Sequence, residues 1–222
     1  MIKCRNVSKK YDSLEVLKAI NLDIKKGEIV SIIGPSGSGK STLLKVIASL
    51  ESIDSGIIET NGSLGMVFQN YNLFKNMDAI ENITIGLKDV KKNTSEEALL
   101  IARDSLKKVG LADRENHYPN QLSGGQKQRL SIARSLAMSS DIILFDEPTA
   151  ALDPELTQEV LQTIKSLADE GLSLVIVTHE VEFAKAISDR IIFMEDGEII
   201  MDAHIDEISY NSSDRIREYL KI

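Results

Sequence analysis

The sequence has a single cysteine, no long apolar run and no excess of positive charge. Cys4 cannot form a disulfide within the chain, which favours a reducing compartment. No apolar run approaches the roughly 18 residues that a membrane-spanning helix needs, and the first residues lack the apolar core of a secretory signal. We therefore expect a cytosolic chain whose contact with a membrane comes through a partner.

Acidic side chains outnumber basic ones, 34 to 26, which gives a formal net charge of -8. This balance argues against a protein that binds nucleic acid by neutralising phosphates. It also argues against docking on anionic lipid through a polybasic face. The 222 residues, 42% of them hydrophobic, are enough for the core of one domain, with room for a smaller lobe.

Short β-branched runs alternate with amphipathic segments, a pattern typical of an α/β fold with a mostly parallel sheet. The runs at 28–33, 141–145 and 173–178 predict strands, and the apolar periodicity predicts helices at 41–50 and 153–171. The first strand leads directly into a glycine-rich loop and the first helix. Such an order places a loop at the carboxyl edge of the sheet, where α/β folds bind ligands.

Three regions depart from the alternation. Residues 2–26 and 56–69 are expected to form antiparallel strands, and residues 71–138 to be nearly all helical. Because the helical block separates two strands of the α/β core, it predicts an inserted helical lobe over about 71–138. Residues 1–70 and 139–222 would then form the core and an antiparallel β lobe of the same single domain.

A phosphate-binding loop is the clearest chemical motif. Residues 34–41 match the pattern G-x-x-x-x-G-K-[ST] between a predicted strand and a predicted helix. The glycines allow successive backbone N–H groups to point at phosphate oxygens. Lys40 would place its charge on the β and γ phosphates, and the Ser41 hydroxyl is suited to Mg²⁺.

Two carboxylates follow the predicted strand at 141–145. Asp146 can hold Mg²⁺ through water, and Glu147 can accept a proton from an attacking water. In isolation the pair would more often be solvated acids at the end of a strand. Beside a phosphate loop, the catalytic interpretation is favoured.

A second glycine-rich anion site is predicted at the start of another helix. Ser123 and Gln126 are spaced as a capping box, and Gly124 and Gly125 leave the first N–H groups of the helix bare, where the helix dipole favours an anion. In isolation this segment would be an ordinary helix start. The complete phosphate loop elsewhere in the chain raises the question of what a second anion site binds.

Six motifs, in the same order, resemble those of the nucleotide-binding subunit of an ABC transporter, and the resemblance covers essentially all 222 residues. Residues 34–42 resemble the Walker A motif, 122–126 match the family signature, 142–147 resemble Walker B, and 150–153 resemble the D-loop. Gln69 is placed like the Q-loop glutamine and His179 like the switch histidine. The resemblance implies a P-loop NTPase core of mostly parallel sheet, with an antiparallel β lobe and an inserted helical lobe.

The resemblance also implies a role for each matched residue. The catalytic residues would be Glu147, His179, Lys40 and Gln69, and Mg²⁺ would be held by Ser41, Gln69 and Asp146. ATP would be bound by Tyr11, Val16, Gly34, Ser36, Gly37, Ser38, Gly39, Lys40, Ser41, Thr42, Ser123, Gly124, Gly125 and Gln126. Tyr11 would stack on adenine, although such a tyrosine is more often a half-buried packing residue.

The partners implied by the resemblance answer the question of the second anion site. In this family two subunits, two copies or a copy and a paralogue, pack head to tail, so that each ATP lies between one Walker A loop and the partner's signature. Integral membrane permease subunits would dock near 70–82, with a solute-binding receptor as a further partner and no nucleic acid. The expected location is the cytoplasmic face of the cell membrane.

Short stretches at 72–74, 118–119, 152–156 and 191–194 resemble the branch of the family that takes up polar amino acids. An exporter or lipoprotein-release complex, or an ABC ATPase outside transport, remains an alternative. One departure weakens the assignment to a branch, because the segment 56–66 is shorter than the strand–loop–strand insert that the family usually carries.

Overall fold

The computed structural model describes residues 2–208 and 213–220. The strands are β1 Ile2–Tyr11, β2 Leu14–Ile24, β3 Ile29–Ile33, β4 Ser55–Thr60, β5 Leu64–Val67, β6 Ile142–Asp146, β7 Ser173–Val177, β8 Arg190–Glu195 and β9 Glu198–His204. The helices are α1 Lys40–Ile47, α2 Ala79–Asp89, α3 Ser95–Lys108, α4 Gly124–Ala137, α5 Pro154–Asp169, α6 Val181–Ile187 and α7 Asp214–Leu220. Short 3₁₀ turns lie at Ala112–Arg114, Pro119–Gln121 and Ile205–Glu207.

The main sheet has the strand order β5-β6-β7-β3-β8-β9. All neighbouring pairs are parallel except β8 and β9. Every residue of β6 and β7 is buried, as expected for apolar strands with both faces covered. The predicted α/β fold with a mostly parallel sheet is confirmed.

The second sheet is antiparallel, with the order β2-β1-β4. It confirms the prediction for residues 2–26, but the prediction for 56–69 is wrong in its second half. β5 does not join this sheet and instead pairs in parallel with β6. The backbone N–H and hydroxyl of Ser63 both donate to the carboxylate of Asp141, at 2.8 and 2.9 Å, and so fix β5 beside β6 before either strand begins.

Helices α2, α3 and α4 pack on one another and share one apolar cluster with a face of the main sheet. The capping box predicted at Ser123 and Gln126 is present in both directions.

Helix α1 ends three residues earlier than predicted, and Ser49 follows it in a left-handed conformation with φ of 57°. Separate lobe boundaries at residues 71 and 138 stay a prediction. Among the described residues, no helix combines the length and the apolar character that crossing a membrane requires.

Cys4 lies in a second apolar cluster between β1, β2, α1 and the other face of the main sheet. Its side chain is fully buried, and burial raises the pKa of the thiol to about 12. Since the thiolate is the reactive form, this environment disfavours reaction of the single cysteine in the folded chain.

We therefore expect the folded protein to resist 5,5′-dithiobis(2-nitrobenzoate) at pH 8 over an hour, because a thiol with this pKa is only about one part in ten thousand ionised there. After unfolding in guanidinium chloride, the chain should release one equivalent of thionitrobenzoate within minutes. Complete reaction of the folded protein on the same timescale as the unfolded one would contradict the burial of Cys4.

Candidate active site

Four neighbouring strands of the main sheet bring the predicted site residues to one edge. Gln69 follows the end of β5 by two residues, Asp146 is the last residue of β6, His179 follows β7 by two residues, and Gly34 comes directly after β3. These strands are mutually parallel and adjacent in the sheet. Their carboxyl ends therefore meet at the same edge.

The loop between β3 and α1 encloses the amino group of Lys40. Lys40 begins α1 and is 4% exposed, and its Nζ donates to the carbonyl oxygens of Gly34 at 2.9 Å and Pro35 at 2.8 Å. Burial lowers the pKa of Lys40, while the negative charges of Glu147 and Asp146 raise it. The loop thus presents a positive charge close to two carboxylates.

Gly34 and Gly37 shape this loop in different ways. Gly34 has φ of +143°, and a Cβ at this position would lie 2.0 Å from the carbonyl oxygen of Met194 in β8. Gly37 has φ of +81°, but a Cβ there would meet no atom within 4 Å. The first glycine is therefore required by space as well as by conformation, and the second by conformation alone.

Ser41 and Asp146 form the candidate metal centre. The Ser41 hydroxyl donates to Oδ1 of Asp146 at 2.6 Å. Burial raises the pKa of Asp146, and the hydrogen bond from Ser41 opposes that shift. A hydroxyl and a carboxylate are oxygen ligands of the kind that Mg²⁺ prefers. Across residues 2–208 and 213–220 no group of three or more His, Cys, Asp or Glu could hold a metal, so a Mg²⁺ here would also depend on phosphate oxygens and water.

Glu147 and His179 are in direct contact. Nε2 of His179 lies 2.9 Å from Oε1 of Glu147, and both side chains are partly exposed. Glu147 adopts a left-handed conformation with φ of 46°, and its backbone N–H donates to the carbonyl oxygen of Val177. A non-glycine residue held in this conformation is often found at functional sites. The carboxylate is thereby fixed between the phosphate loop and the end of β7.

Lys40, Ser41, Glu147 and His179 border one cleft of about 380 Å³, whereas Asp146 and Gly34 do not line it. Its lining residues are Tyr11, Leu14, Val16, Ser36, Gly37, Gly39, Lys40, Ser41, Thr42, Glu147 and His179. Most of the predicted nucleotide-binding and catalytic residues are therefore brought together. Ser38 lies behind the cleft, where its hydroxyl is 3.4 Å from Nζ of Lys40.

Tyr11 lines the cleft and is 41% exposed. Its hydroxyl donates to the carboxylate of Glu51, and this hydrogen bond raises the pKa of Tyr11. Nζ of Lys9 lies 5.3 Å from the centroid of the ring. An aromatic ring held at its hydroxyl and open toward the cleft suits stacking by a planar group.

The predicted signature and the Q-loop glutamine do not line the cleft. Gln69 is exposed in a turn after β5. The hydroxyl of Ser123 accepts the N–H of Gln126 at 3.2 Å, and Oε1 of Gln126 accepts the N–H of Ser123 at 3.0 Å. The start of α4 is thus a formed helix N-terminus separate from the phosphate loop of its own chain.

Close packing joins the signature to the segment after Glu147. A Cβ on Gly124 would lie 2.8 Å from Cδ2 of Leu152, and one on Gly125 would lie 3.3 Å from Cβ of Leu156. The lack of side chains at these glycines therefore allows α4 to approach the start of α5 closely. The exposed N–H groups that the sequence predicts are one consequence of these glycines, and this packing is another.

Sequence reasoning missed three neighbours of the site. Leu14 lines the cleft, Glu51 holds the hydroxyl of Tyr11, and the hydroxyl of Tyr219 reaches the phosphate loop at Gly34. None belongs to a motif, and Tyr219 lies 185 positions from its partner. A contact of this kind has no signal in a single sequence.

Comparison with known families gives a match to the model of the ABC transporter family over residues 17–150. A glutamine transport ATP-binding protein of Bacillus subtilis is 49% identical, and the match covers 91% of this chain and 90% of the relative. A glutamine transport ATP-binding protein of Escherichia coli is 47% identical, and an arginine transport ATP-binding protein of Bacillus subtilis is 46% identical. Each of these two matches covers 100% of this chain and 99% of the relative.

Solved structures of a dimeric ATP-binding cassette are also similar. One, described as a post-hydrolysis state bound to ADP and Pi, has a TM-score of 0.84 and 38% identity, and covers 92% of this chain and 99% of its own. A second structure of the same cassette has a TM-score of 0.83 and 39% identity, with the same coverage.

The two loop glycines provide a matched test of the site's geometry. We expect Gly37→Ala to lower the free energy of unfolding by about 1–2 kcal/mol, through its left-handed conformation alone. Gly34→Ala should lower it by about 1–3 kcal/mol more, because its Cβ would overlap the Met194 carbonyl. Urea unfolding without nucleotide measures both, and equal losses would contradict the close approach of Gly34 to β8.

Proposed function

Since the chain belongs to the ABC transporter family, we propose that it is the ATP-binding and hydrolysing subunit of an importer of a polar amino acid. Relatives that match it over nearly its whole length are named as glutamine and arginine transport ATP-binding proteins. The observation that carries the ATPase activity is the contact of Glu147 with His179 at the mouth of the phosphate loop. The subunit would act at the cytoplasmic face of the membrane.

ATP is bound by the phosphate loop and by the ring of Tyr11. The backbone of residues 36–41 and the ammonium of Lys40 hold the phosphates, and Thr42 borders the same cleft. The ring of Tyr11, with Val16 beside it in the cleft, receives the adenine. The positive charge and the backbone N–H groups then suit the phosphates of a nucleoside triphosphate, and the planar apolar ring suits its base.

Ser41, Asp146 and Gln69 would hold a Mg²⁺ ion. When bound, Mg²⁺ supplies charge that neutralises the β and γ phosphate oxygens. Ser41 and Asp146 are already in contact at 2.6 Å. Gln69 lies two residues after β5, the strand beside β6, and would have to reach the ion from that side.

Glu147 acts on the attacking water. Its carboxylate accepts a hydrogen bond from the water and orients it toward the γ phosphate, while His179 holds the carboxylate in place through the 2.9 Å contact. Lys40 stabilises the charge that develops on the phosphate. Positioning and electrostatic stabilisation of this kind account for most of the catalysis in phosphoryl transfer.

The signature serves the site of a second subunit. Ser123, Gly124, Gly125 and Gln126 border no part of the cleft in their own chain, yet they form a capped helix N-terminus suited to an anion. Two solved cassettes that are similar in fold are described as dimeric. Two subunits related by a two-fold axis would each complete the other's site.

Glu147→Gln should still bind ATP and lose about 10²–10³ in turnover, because the amide cannot accept a proton from water. With ATP and Mg²⁺ it should shift from monomer to dimer in size-exclusion chromatography with light scattering. Glu96→Gln, on the exposed face of α3, is the control and should keep the native rate.

Hydrolysis by Glu147→Gln at the native rate would contradict the role of Glu147. A persistent monomer with bound ATP would contradict the role of the signature in a partner's site.

The permease is proposed to dock in a groove of about 670 Å³ between β5, α2 and the end of α4. Phe74 and Val90 line it and are 45% and 69% exposed. The guanidinium of Arg134 lies 5.9 Å from the centroid of the Phe74 ring. The groove overlaps the predicted docking segment 70–82 at Phe74 and Asn82, and an apolar surface with a cation at its edge fits an amphipathic protein segment.

Val90→Asp should abolish recovery of an integral membrane protein with the tagged subunit from native membranes, and should leave the ATPase rate of the isolated chain unchanged. Leu100→Asp is the matched control, since Leu100 is 74% exposed on α3 and lies outside the groove. Unchanged recovery with Val90→Asp would contradict the groove as the docking site. Recovery of ribosomes or DNA in place of a membrane protein would favour the alternative function, that of an ABC ATPase that does not act in transport.

A further inference from the structure

The C-terminal helix α7 packs over the start of the phosphate loop. Ile216 and Leu220 are buried in an apolar cluster with Ile33 and Phe193, the residues that end β3 and lie beside it in β8. The ring of Tyr219 meets the ring of Phe193 edge to face, with centroids 5.1 Å apart and planes at 80°. This packing holds Tyr219 at a fixed place on the main sheet.

From that place the Tyr219 hydroxyl donates to the carbonyl oxygen of Gly34 at 2.9 Å. The same oxygen accepts a hydrogen bond from Nζ of Lys40, also at 2.9 Å. Burial raises the pKa of Tyr219, so the hydroxyl stays protonated at neutral pH and acts as the donor. The Gly34 carbonyl therefore has two donors, one from the loop and one from α7.

Of the two donors, Lys40 has a second proposed function in binding phosphate, and the hydroxyl of Tyr219 does not. In its proposed role Lys40 turns its ammonium toward the phosphates of a bound nucleotide, whereas the backbone of Gly34 packs close to the Met194 carbonyl in β8. Without a second donor, the carbonyl of Gly34 would lose its hydrogen bond in a buried place, which opposes the movement of Lys40. The hydroxyl of Tyr219 keeps this oxygen paired.

We propose that Tyr219 is a positioning residue for nucleotide binding, whose hydroxyl holds the Gly34 carbonyl and thereby releases Lys40 to the phosphates. This inference rests on the proposed phosphate-binding role of Lys40. It gives α7, which lies far from every motif in the sequence, a direct connection to the active site.

Tyr219→Phe removes the hydroxyl and keeps the ring on Phe193. We expect the dissociation constant and the KM for ATP to rise about two- to tenfold, the range of one neutral hydrogen bond, with kcat changed less than twofold. Tyr118→Phe is the matched control, because Tyr118 is 44% exposed in the helical block. This variant should bind ATP with native affinity.

Three readouts separate this role from a structural one. Thermal unfolding without nucleotide should differ little between Tyr219→Phe and the native chain, while the stabilisation added by ATP should be smaller in the variant. A lower unfolding temperature with an unchanged response to ATP, or a fall in kcat at constant KM, would overturn the proposal.

Lys40→Ala distinguishes a failure of the phosphate-binding role of Lys40 from a failure of the positioning role of Tyr219. Native ATP affinity in Lys40→Ala would refute the phosphate-binding role itself. Loss of affinity in Lys40→Ala together with native affinity in Tyr219→Phe would leave that role intact and refute the part assigned to Tyr219.

Discussion

The parallel pairing of β6, β7 and β3 is the constraint on which the rest of the site depends. Asp146 lies opposite Val177 in one pair, and Ile32 lies opposite Val177 in the next. This register fixes the relative positions at which the phosphate loop, Glu147 and His179 follow the ends of their strands. A shift of one residue would turn every buried side chain of β6 and β7 to the other face of the sheet, so the apolar core and the active site are specified together.

Much of this arrangement can be predicted from one sequence. The apolar runs of β6 and β7, the capping box at Ser123 and the phosphate loop at Gly34 are local patterns, and each is visible within about ten residues. Their convergence on one edge follows from a general property of parallel sheets. The family resemblance adds roles to residues that local chemistry alone leaves open, such as Gln69 and Tyr11.

The parts that escaped prediction are set by contacts between distant segments. Residues 56–69 were expected to form antiparallel strands, yet β5 pairs in parallel with β6, and Ser63 just before it is bound by Asp141, 78 positions away. The hydroxyl of Tyr219 on the carbonyl of Gly34 is a second contact of this kind. Nothing in the residue types near either partner indicates the other.

The packing of Gly124 on Leu152 has a mechanical consequence. Leu152 is five residues from Glu147 along a short turn in which the N–H groups of Ala150 and Leu152 are bonded to the carbonyls of Glu147 and Thr149. These hydrogen bonds connect the two residues through one turn, and at its end the Leu152 side chain packs closely on Gly124 in the first turn of α4. If a second subunit binds at the signature as proposed, a displacement of the first turn of α4 would reach the backbone beside Glu147 through Leu152.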